Sequence, residues 1–202
     1  MEIIEPNPLL IKYVQRCNSL FTEFDSLKKD FVDSNEWHYI MSNLEQNIFL
    51  LQRLKEKNLL NKNTINICDA GIGLGAALFD IYLQSQEITD KKFYFTGIEK
   101  YDSYLNYLNE YLIENWKNKL TIIKGDIMQQ DYSKYDIVYS YSPFRSPRLL
   151  VDFYTKVKNE ISPGSLIIEN RNKGYGIEST MTMVDGLECI VLDDIVVFKK
   201  TI

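Results

Sequence analysis

Asp69-Ala70-Gly71-Ile72-Gly73-Leu74-Gly75 carries the densest chemistry in this chain. Three glycines at alternate positions open backbone conformations that a Cβ forbids, and they let a ligand approach the main chain closely. The turn follows the apolar residues Ile65, Ile67 and Cys68 and leads into Ala76-Ala77-Leu78-Phe79, so it reads as strand, turn and helix, with a helix N-terminus aimed at the ligand. A nucleotide-like molecule suits such a place. Asp69 narrows the choice, because a carboxylate there repels a pyrophosphate and attracts an ammonium group. Further along, Glu99 follows the apolar run ending at Ile98, and Asp126 follows the run ending at Lys124. A dinucleotide site also uses a glycine turn with an acid about 20 residues later, and Glu99 satisfies that pattern. The residue in the place of Asp69 is ordinarily apolar in such a fingerprint, which weighs against it.

The elements that would position these residues follow from periodicity. Asn7-Pro8 caps and starts a helix whose apolar face runs through Leu10, Val14, Cys17, Phe21, Phe24 and Leu27. A second helix, capped at Asp33 or Ser34, carries Trp37, Met41, Leu44, Ile48, Leu51 and Leu54 as far as Lys57-Asn58. These make a helical cap over 1–60. From Thr64 the texture changes to short apolar runs alternating with helical stretches, the signature of a parallel sheet with helices on both faces. Strands are predicted over Thr64–Cys68, Phe93–Ile98, Leu120–Lys124, Ile137–Tyr141 and Ser165–Glu169. Helices are marked by Leu105, Leu108, Leu112 and Trp116, and by Leu149, Phe153, Val157 and Ile161. Glu188–Leu192 and Ile195–Lys199, split by Asp193-Asp194, predict an antiparallel hairpin at the C-terminal end. The expectation is one domain over 1–202, with the cap at 1–60 and the sheet core at 61–202.

Composition bounds the rest. The 202 residues carry 23 basic and 28 acidic side chains, a net charge of −5, which argues against general nucleic-acid binding. Cys17, Cys68 and Cys189 are odd in number and widely spaced, as in buried thiols of a reducing compartment. With His38 as the sole imidazole and no paired cysteines, no transition-metal site is expected. No basic leader and no membrane-length apolar run is present, so the expected setting is soluble and cytoplasmic.

Five β/α units closed by an antiparallel hairpin, with the glycine turn after the first strand, resemble class I S-adenosylmethionine-dependent methyltransferases. The resemblance covers roughly 60–202. It implies a Rossmann-like α/β fold with a mostly parallel seven-stranded sheet, an antiparallel C-terminal strand, an N-terminal helical cap and S-adenosyl-L-methionine as cofactor. Asp69, Gly71, Gly73 and Gly75 look like the first motif, around the methionine part of the cofactor. Glu99, with Lys100 beside it, matches the acid that accepts from both ribose hydroxyls. Asp126 matches the position beside the adenine amine, with Ile127 offering a backbone N–H. The fourth motif, Asp136 to Phe144, resembles the segment facing the transferable methyl, and it places Ser140 on the cofactor side and Tyr141 and Ser142 as catalytic candidates. Family members that methylate base amines carry Asn or Asp before Pro-Pro-aromatic; Tyr141-Ser142-Pro143-Phe144 is closer to a small bacterial subgroup with Tyr-Asn-Pro-Phe, Ser142 replacing Asn.

The implied reaction is in-line methyl transfer to an unidentified N, O or C acceptor in RNA, protein or a small molecule. Two alternatives stay open, a non-enzymatic cofactor-binding or interaction module and aminopropyl transfer from decarboxylated cofactor. Each remaining residue has a plainer reading beside its chemical one. Asp126 alone is a solvated loop acid. His38 is a general base or, more commonly, a packing residue. Tyr141 faces the sulfonium or packs the core. Arg145, Arg148, Arg171 and Lys173 form a basic rim for an anionic acceptor or are ordinary solvated loop charges. Tyr101, Tyr104, Tyr107 and Tyr111 fit packing and rim contacts better than stacking on a nucleic acid. Oligomeric state is not encoded in any of these patterns.

Overall fold

The computed structural model describes residues 7–23, 47, 49–111, 119–141, 143–170, 184–192 and 195–201, the side chains of 18–23, 110, 111 and 195 excepted. Helix α1 covers Pro8–Glu23, and Asn7 caps it, its Oδ1 accepting from Leu9 N at 2.9 Å. The predicted second helix is described only near its end, as α2 over Leu50–Glu56. Phe49, immediately before this helix, takes φ 62°, a left-handed conformation that interrupts the predicted helical run. His38, Asp33, Ser34, Leu112, Trp116, Arg171 and Lys173 lie outside the described residues.

The sheet comprises β1 (Thr64–Ala70), β2 (Lys92–Glu99), β3 (Leu120–Lys124), β4 (Ile137–Ser140), β5 (Leu166–Glu169), β6 (Leu187–Leu192) and β7 (Ile195–Lys200). Its order is β3-β2-β1-β4-β5-β7-β6. β7 runs antiparallel to both β5 and β6, and the other pairings are parallel. The expected mixed sheet is thus present, and Leu192 opposite Ile195 closes the hairpin register across Asp193-Asp194, themselves outside the described residues. Three of the parallel strands end elsewhere than expected. β1 and β2 extend to Ala70 and Glu99, which takes Asp69 and Glu99 into the strands, whereas β4 stops one residue before Tyr141.

Period-two alternation builds two cores. Ile65 and Ile67 of β1, Phe93 and Phe95 of β2, and Ile137 and Tyr139 of β4 pack on one face against helix α3 (Ala76–Ser85) and against Leu50, Leu51 and Leu54. Cys68, Ile98, Val138 and Ile167 face the other way onto Phe153, Tyr154 and Val157 of helix α5 (Pro147–Glu160). Helix α4 (Asp102–Tyr111) lies between β2 and β3 in sequence. The expectation of helices throughout both faces fails in one place. The link from β3 to β4 contains a 3-10 turn, Ile127–Gln129, and no α-helix, and Tyr94 of β2 stays 46% exposed. Tyr132 and Tyr135 from this link fill the core in the helix's stead.

From β1 the chain builds outward to β2 and β3, then returns to β4 on the other side. That reversal leaves a crevice at the carboxyl ends of β1 and β4, where open α/β sheets bind ligands. Gly97, in the middle of that edge, lets Ile72 lie flat on β2: a Cβ there would meet Ile72 Cδ1 at 2.3 Å and Ile122 Cδ1 at 3.2 Å. Gly97→Ala is therefore expected to destabilise the protein by about 1–3 kcal/mol in urea unfolding. Adding Ile72→Val, which removes the clashing Cδ1, recovers part of that loss in a double-mutant cycle.

Candidate cofactor site

The turn after β1 is shaped by backbone geometry. Gly71, Gly73 and Gly75 have φ of 83°, 54° and 77°, a region closed in practice to most residues with a Cβ. Gly71 N and Ile72 N both donate to Ile98 O at 3.0 Å, Gly75 N donates to Ile72 O at 2.8 Å, and α3 starts immediately after Gly75. Tyr13 of α1 donates its hydroxyl to Leu74 O, and Cys17, Tyr104 and Tyr107 bury Leu74. Thus α1 and two tyrosines of the α4 series hold the turn from outside. On its inner side, a Cβ on Gly71 would lie 3.8 Å from Pro143 Cβ, so the turn and the segment after β4 approach each other.

Asp69, Glu99 and Asp126 stand at the carboxyl ends of three adjacent strands. Glu99 is buried and anchored: Oε2 accepts from Gly73 N at 3.0 Å, and Oε1 accepts from Lys100 N at 2.7 Å and Tyr101 N at 2.9 Å. Asp126 caps the 3-10 turn through Met128 N at 2.8 Å, and neighbouring Gly125 N donates to Glu99 O at 2.9 Å, fastening this edge to β2. Ile127 is buried at the first position of that turn, where a backbone N–H has no acceptor within the turn. Asp69 differs from both. It is 3% exposed and accepts no hydrogen bond from any described residue, and burial, with Glu99 adding repulsion, pushes its carboxyl up to about 8. A buried acid without a donor is the complement of a cationic ligand group, so the residues present fit an ammonium at this turn.

The remaining sequence candidates fall in different surroundings. Lys100 is exposed, its Nζ 5.6 Å from the Tyr101 ring centroid. Ser140 is fully buried and its hydroxyl lies 3.1 Å from Tyr154 OH on α5, away from the turn's face of the sheet. Tyr141 is half-buried just past β4, and Ser142 lies outside the described residues.

Sequence reasoning missed a buried polar unit beside Asp69. Tyr139 is paired with Asp69 in the β1–β4 register, and its hydroxyl accepts from Asn170 Nδ2 at 3.0 Å and Asn47 Nδ2 at 3.2 Å; Asn170 Nδ2 also lies 3.0 Å from Asn47 Oδ1. All three residues are buried. Burial and the neighbouring Asp69 push the Tyr139 phenol well above its ordinary value, which keeps it neutral. A tyrosine in an otherwise apolar strand requires a partner for its hydroxyl, and that was the available signal; nothing in the sequence pointed to Asn47.

A Rossmann-like sheet with a glycine turn and three acids in order along its edge defines a class I S-adenosylmethionine-dependent methyltransferase. A profile of the PRMT5 arginine-N-methyltransferase family matches residues 20–174, and the chain belongs to that family. Its cofactor is accordingly S-adenosylmethionine. No curated protein sequence matches the chain. Among solved structures, it is similar to a Listeria monocytogenes protein assigned to the class I S-adenosylmethionine-dependent methyltransferases, with 14% identity and a TM-score of 0.60 over 82% of this chain. That match spans 64% of the Listeria chain, under two thirds of its length. A Staphylococcus aureus protein assigned as a caffeoyl-CoA O-methyltransferase has 16% identity and a TM-score of 0.54, with 94% of this chain and 99% of that one covered. A Geobacter metallireducens precorrin-6y C5,15-methyltransferase has 12% identity and a TM-score of 0.54, covering 85% and 96%. At these identities the likeness shows the fold. Among the described residues, no helix is long and apolar enough to cross a membrane.

Two outcomes follow from the polar groups. Because the Asp69 carboxyl titrates near 8 when folded and near 4 when unfolded, its contribution to stability is fully present below pH 4 and is lost as pH rises through 8. Asp69→Asn is therefore expected to gain stability relative to the parent chain across that window in parallel denaturant titrations. Tyr139→Phe leaves two buried amides facing a ring edge and is expected to cost about 1–3 kcal/mol, read from the same titrations.

Proposed function

We propose that the chain binds S-adenosylmethionine through Asp69 and the glycine turn at the methionine end, Glu99 at the ribose, and Asp126 with the Ile127 N–H at the adenine, and transfers its methyl group to a nitrogen acceptor. The observation that carries this reading is Asp69, a buried carboxyl beside the turn that no described residue satisfies. Pairing with the ligand's ammonium ionises Asp69 and offsets the burial cost. Oε1 of Glu99 already accepts from two N–H groups, so a ribose hydroxyl would be met at Oε2, beside Gly73 N. Its grip on Gly73 N means that the same carboxylate shapes the turn and reads the sugar.

When bound, the cofactor supplies a methyl group already activated by a positive sulfur. The protein's part is to hold donor and acceptor in line and to exclude water. The turn and the segment after β4 wall the crevice from its two sides, as the approach of Gly71 to Pro143 indicates. The acceptor side is formed by Tyr141, Pro143 and Phe144 and by the carboxyl end of β5, where buried Glu169 lies beside Ser140 in the register. Arginine is the acceptor named by the family description. A guanidinium needs a carboxylate to hold it, and Glu169 is the acid at the carboxyl end of β5, on the face of the sheet that Ser140 shares. A second reading, a binding module without transfer, is favoured by one observation: residues 141–146, Tyr-Ser-Pro-Phe-Arg-Ser, contain no carboxylate.

Calorimetry with S-adenosylmethionine and its demethylated product is expected to show binding that weakens by about tenfold or more in Asp69→Ala and in Glu99→Gln, the loss of a hydrogen bond to a charged group. Unchanged binding in both variants overturns the site. Methyl-labelled cofactor then separates the readings, with label expected in an arginine-containing peptide and reduced in Glu169→Gln. Intact binding with no label in peptide, RNA or small-molecule pools favours the module.

A further inference from the structure

Away from the glycine turn, the sheet carries a second concavity, of about 410 Å³, a size typical of small-ligand sites. Its walls include Tyr94 and Thr96 of β2, Lys119 and Thr121 at the start of β3, and Lys134 and Tyr135 just before β4. It exists because the chain passes from β3 to β4 without a crossover helix, leaving part of one sheet face bare. Parallel sheets ordinarily have both faces covered.

The bare surface is polar by design of the strand and is no hole in the core. β2 sends Phe93 and Phe95 inward and alternates them with Lys92, Tyr94 and Thr96, while exposed Thr121 pairs beside Thr96 on β3. Tyr94, on an interior strand, is 46% exposed. Lys92, Lys119 and Lys134 are exposed, and Lys134 Nζ lies 5.1 Å from the Tyr135 ring centroid. No carboxylate lines the cavity. Of the nearest acids in sequence, Asp136 accepts from Asn66 N at 2.8 Å and pairs with Lys62, and Asp131 accepts from Ser133 N at 2.8 Å while feeling the charges of Lys134 and Lys156 from outside the cavity wall. A chain of net charge −5 thus presents here a local cationic hollow with an open aromatic ring and hydroxyls.

These groups together select a ligand that is anionic at one end and planar at the other. We propose that this cavity binds a nucleoside phosphate, with Lys119 and Lys134 meeting the phosphate, Tyr94 stacking on the base, and Thr96 and Thr121 offering hydroxyls to the sugar or phosphate. Stacking on an aromatic ring tolerates any base, and lysine contacts to phosphate confer salt dependence. The ligand chemistry is shared by a free mononucleotide and by a nucleotide within single-stranded RNA.

The test uses the full chain with S-adenosylhomocysteine in excess, so that adenine-binding groups at the glycine turn are filled. Uridine monophosphate is titrated by calorimetry in one arm, and a fluorescein-labelled oligouridylate by anisotropy in the other, at low and at moderate salt. Binding in either arm is expected, weaker at higher salt, and the responding arm names the source. Tyr94→Ala is expected to weaken it by about fivefold or more, and Lys119→Glu with Lys134→Glu by a larger factor, with unfolding midpoints close to the parent's because all three side chains are exposed. Absence of binding in both arms, or binding unchanged in the variant carrying all three substitutions, overturns the proposal.

Discussion

The end of β2 dictates the shape of the cofactor turn. The Ile98 carbonyl takes the N–H groups of Gly71 and Ile72, and the Glu99 carboxylate takes that of Gly73, so three consecutive donors of the turn are bound to two consecutive residues of the neighbouring strand. This explains the glycines at positive φ and the absence of a side chain at Gly97, over which Ile72 must lie. It also accounts for the burial of Asp69. A turn folded back this closely on β2 covers the last residues of β1, and the acid in that stretch loses its water. The two acids therefore share one cause and have opposite outcomes. Glu99 is surrounded by backbone donors that the turn brings to it, and Asp69 is left with none.

How legible each part was depends on where its cause lies. The turn, Asp69, Glu99 and the strands could be read because they impose requirements on residue type at fixed spacing: glycine where φ is positive, apolar residues at period two, an acid at a strand end. The interruption at Phe49 could not, since an aromatic residue at φ 62° is held there by its surroundings and carries no signal of its own. The β3–β4 link was also misjudged in kind. Its tyrosines Tyr132 and Tyr135 fill the core individually, Tyr132 reaching the Ile127 carbonyl at 2.9 Å, so a non-helical segment does the covering expected of a helix, and does it over less of the sheet. Ser140 illustrates a third case. A motif position does not give the direction of the pleat: the Ser140 hydroxyl meets Tyr154 on α5, while Tyr139, one residue earlier, lies beside Asp69 in the register.

The N-terminal segment joins the sheet edge through polar contacts placed on the two sides of the crevice. On one side, Tyr13 reaches the Leu74 carbonyl inside the turn. On the other, Asn47 reaches Tyr139 at the end of β4 and Asn170 just after β5. Gln84 of α3 links Asn47 to the helix that begins at the turn, donating to Asn47 O at 2.7 Å and accepting from Leu51 N at 3.0 Å. Apolar packing alone tolerates small slides between segments. Directed bonds to buried amides do not, because each displaced donor or acceptor is left unsatisfied. The spacing between the turn and the strand-four edge is thereby tied to the position of Asn47.

Within this edge, polar groups divide by how completely the protein serves them. Glu99 has three backbone donors, the Tyr139 hydroxyl has two amides, and Asp126 has the turn it caps. Such groups stay where they are whether or not a ligand is present. Asp69 alone among these is buried with its hydrogen-bonding capacity unmet, and the free protein accommodates it by holding a proton. A fold that needed an acid there only for structure would supply donors for it, as it does one strand away for Glu99. Leaving the carboxyl unserved costs stability in the free chain and concentrates at one point a preference for a cation. The same point is where the three strand-end acids, the positive-φ turn and the start of α3 converge, so the least satisfied group of the edge is also the one that most sharply selects a ligand.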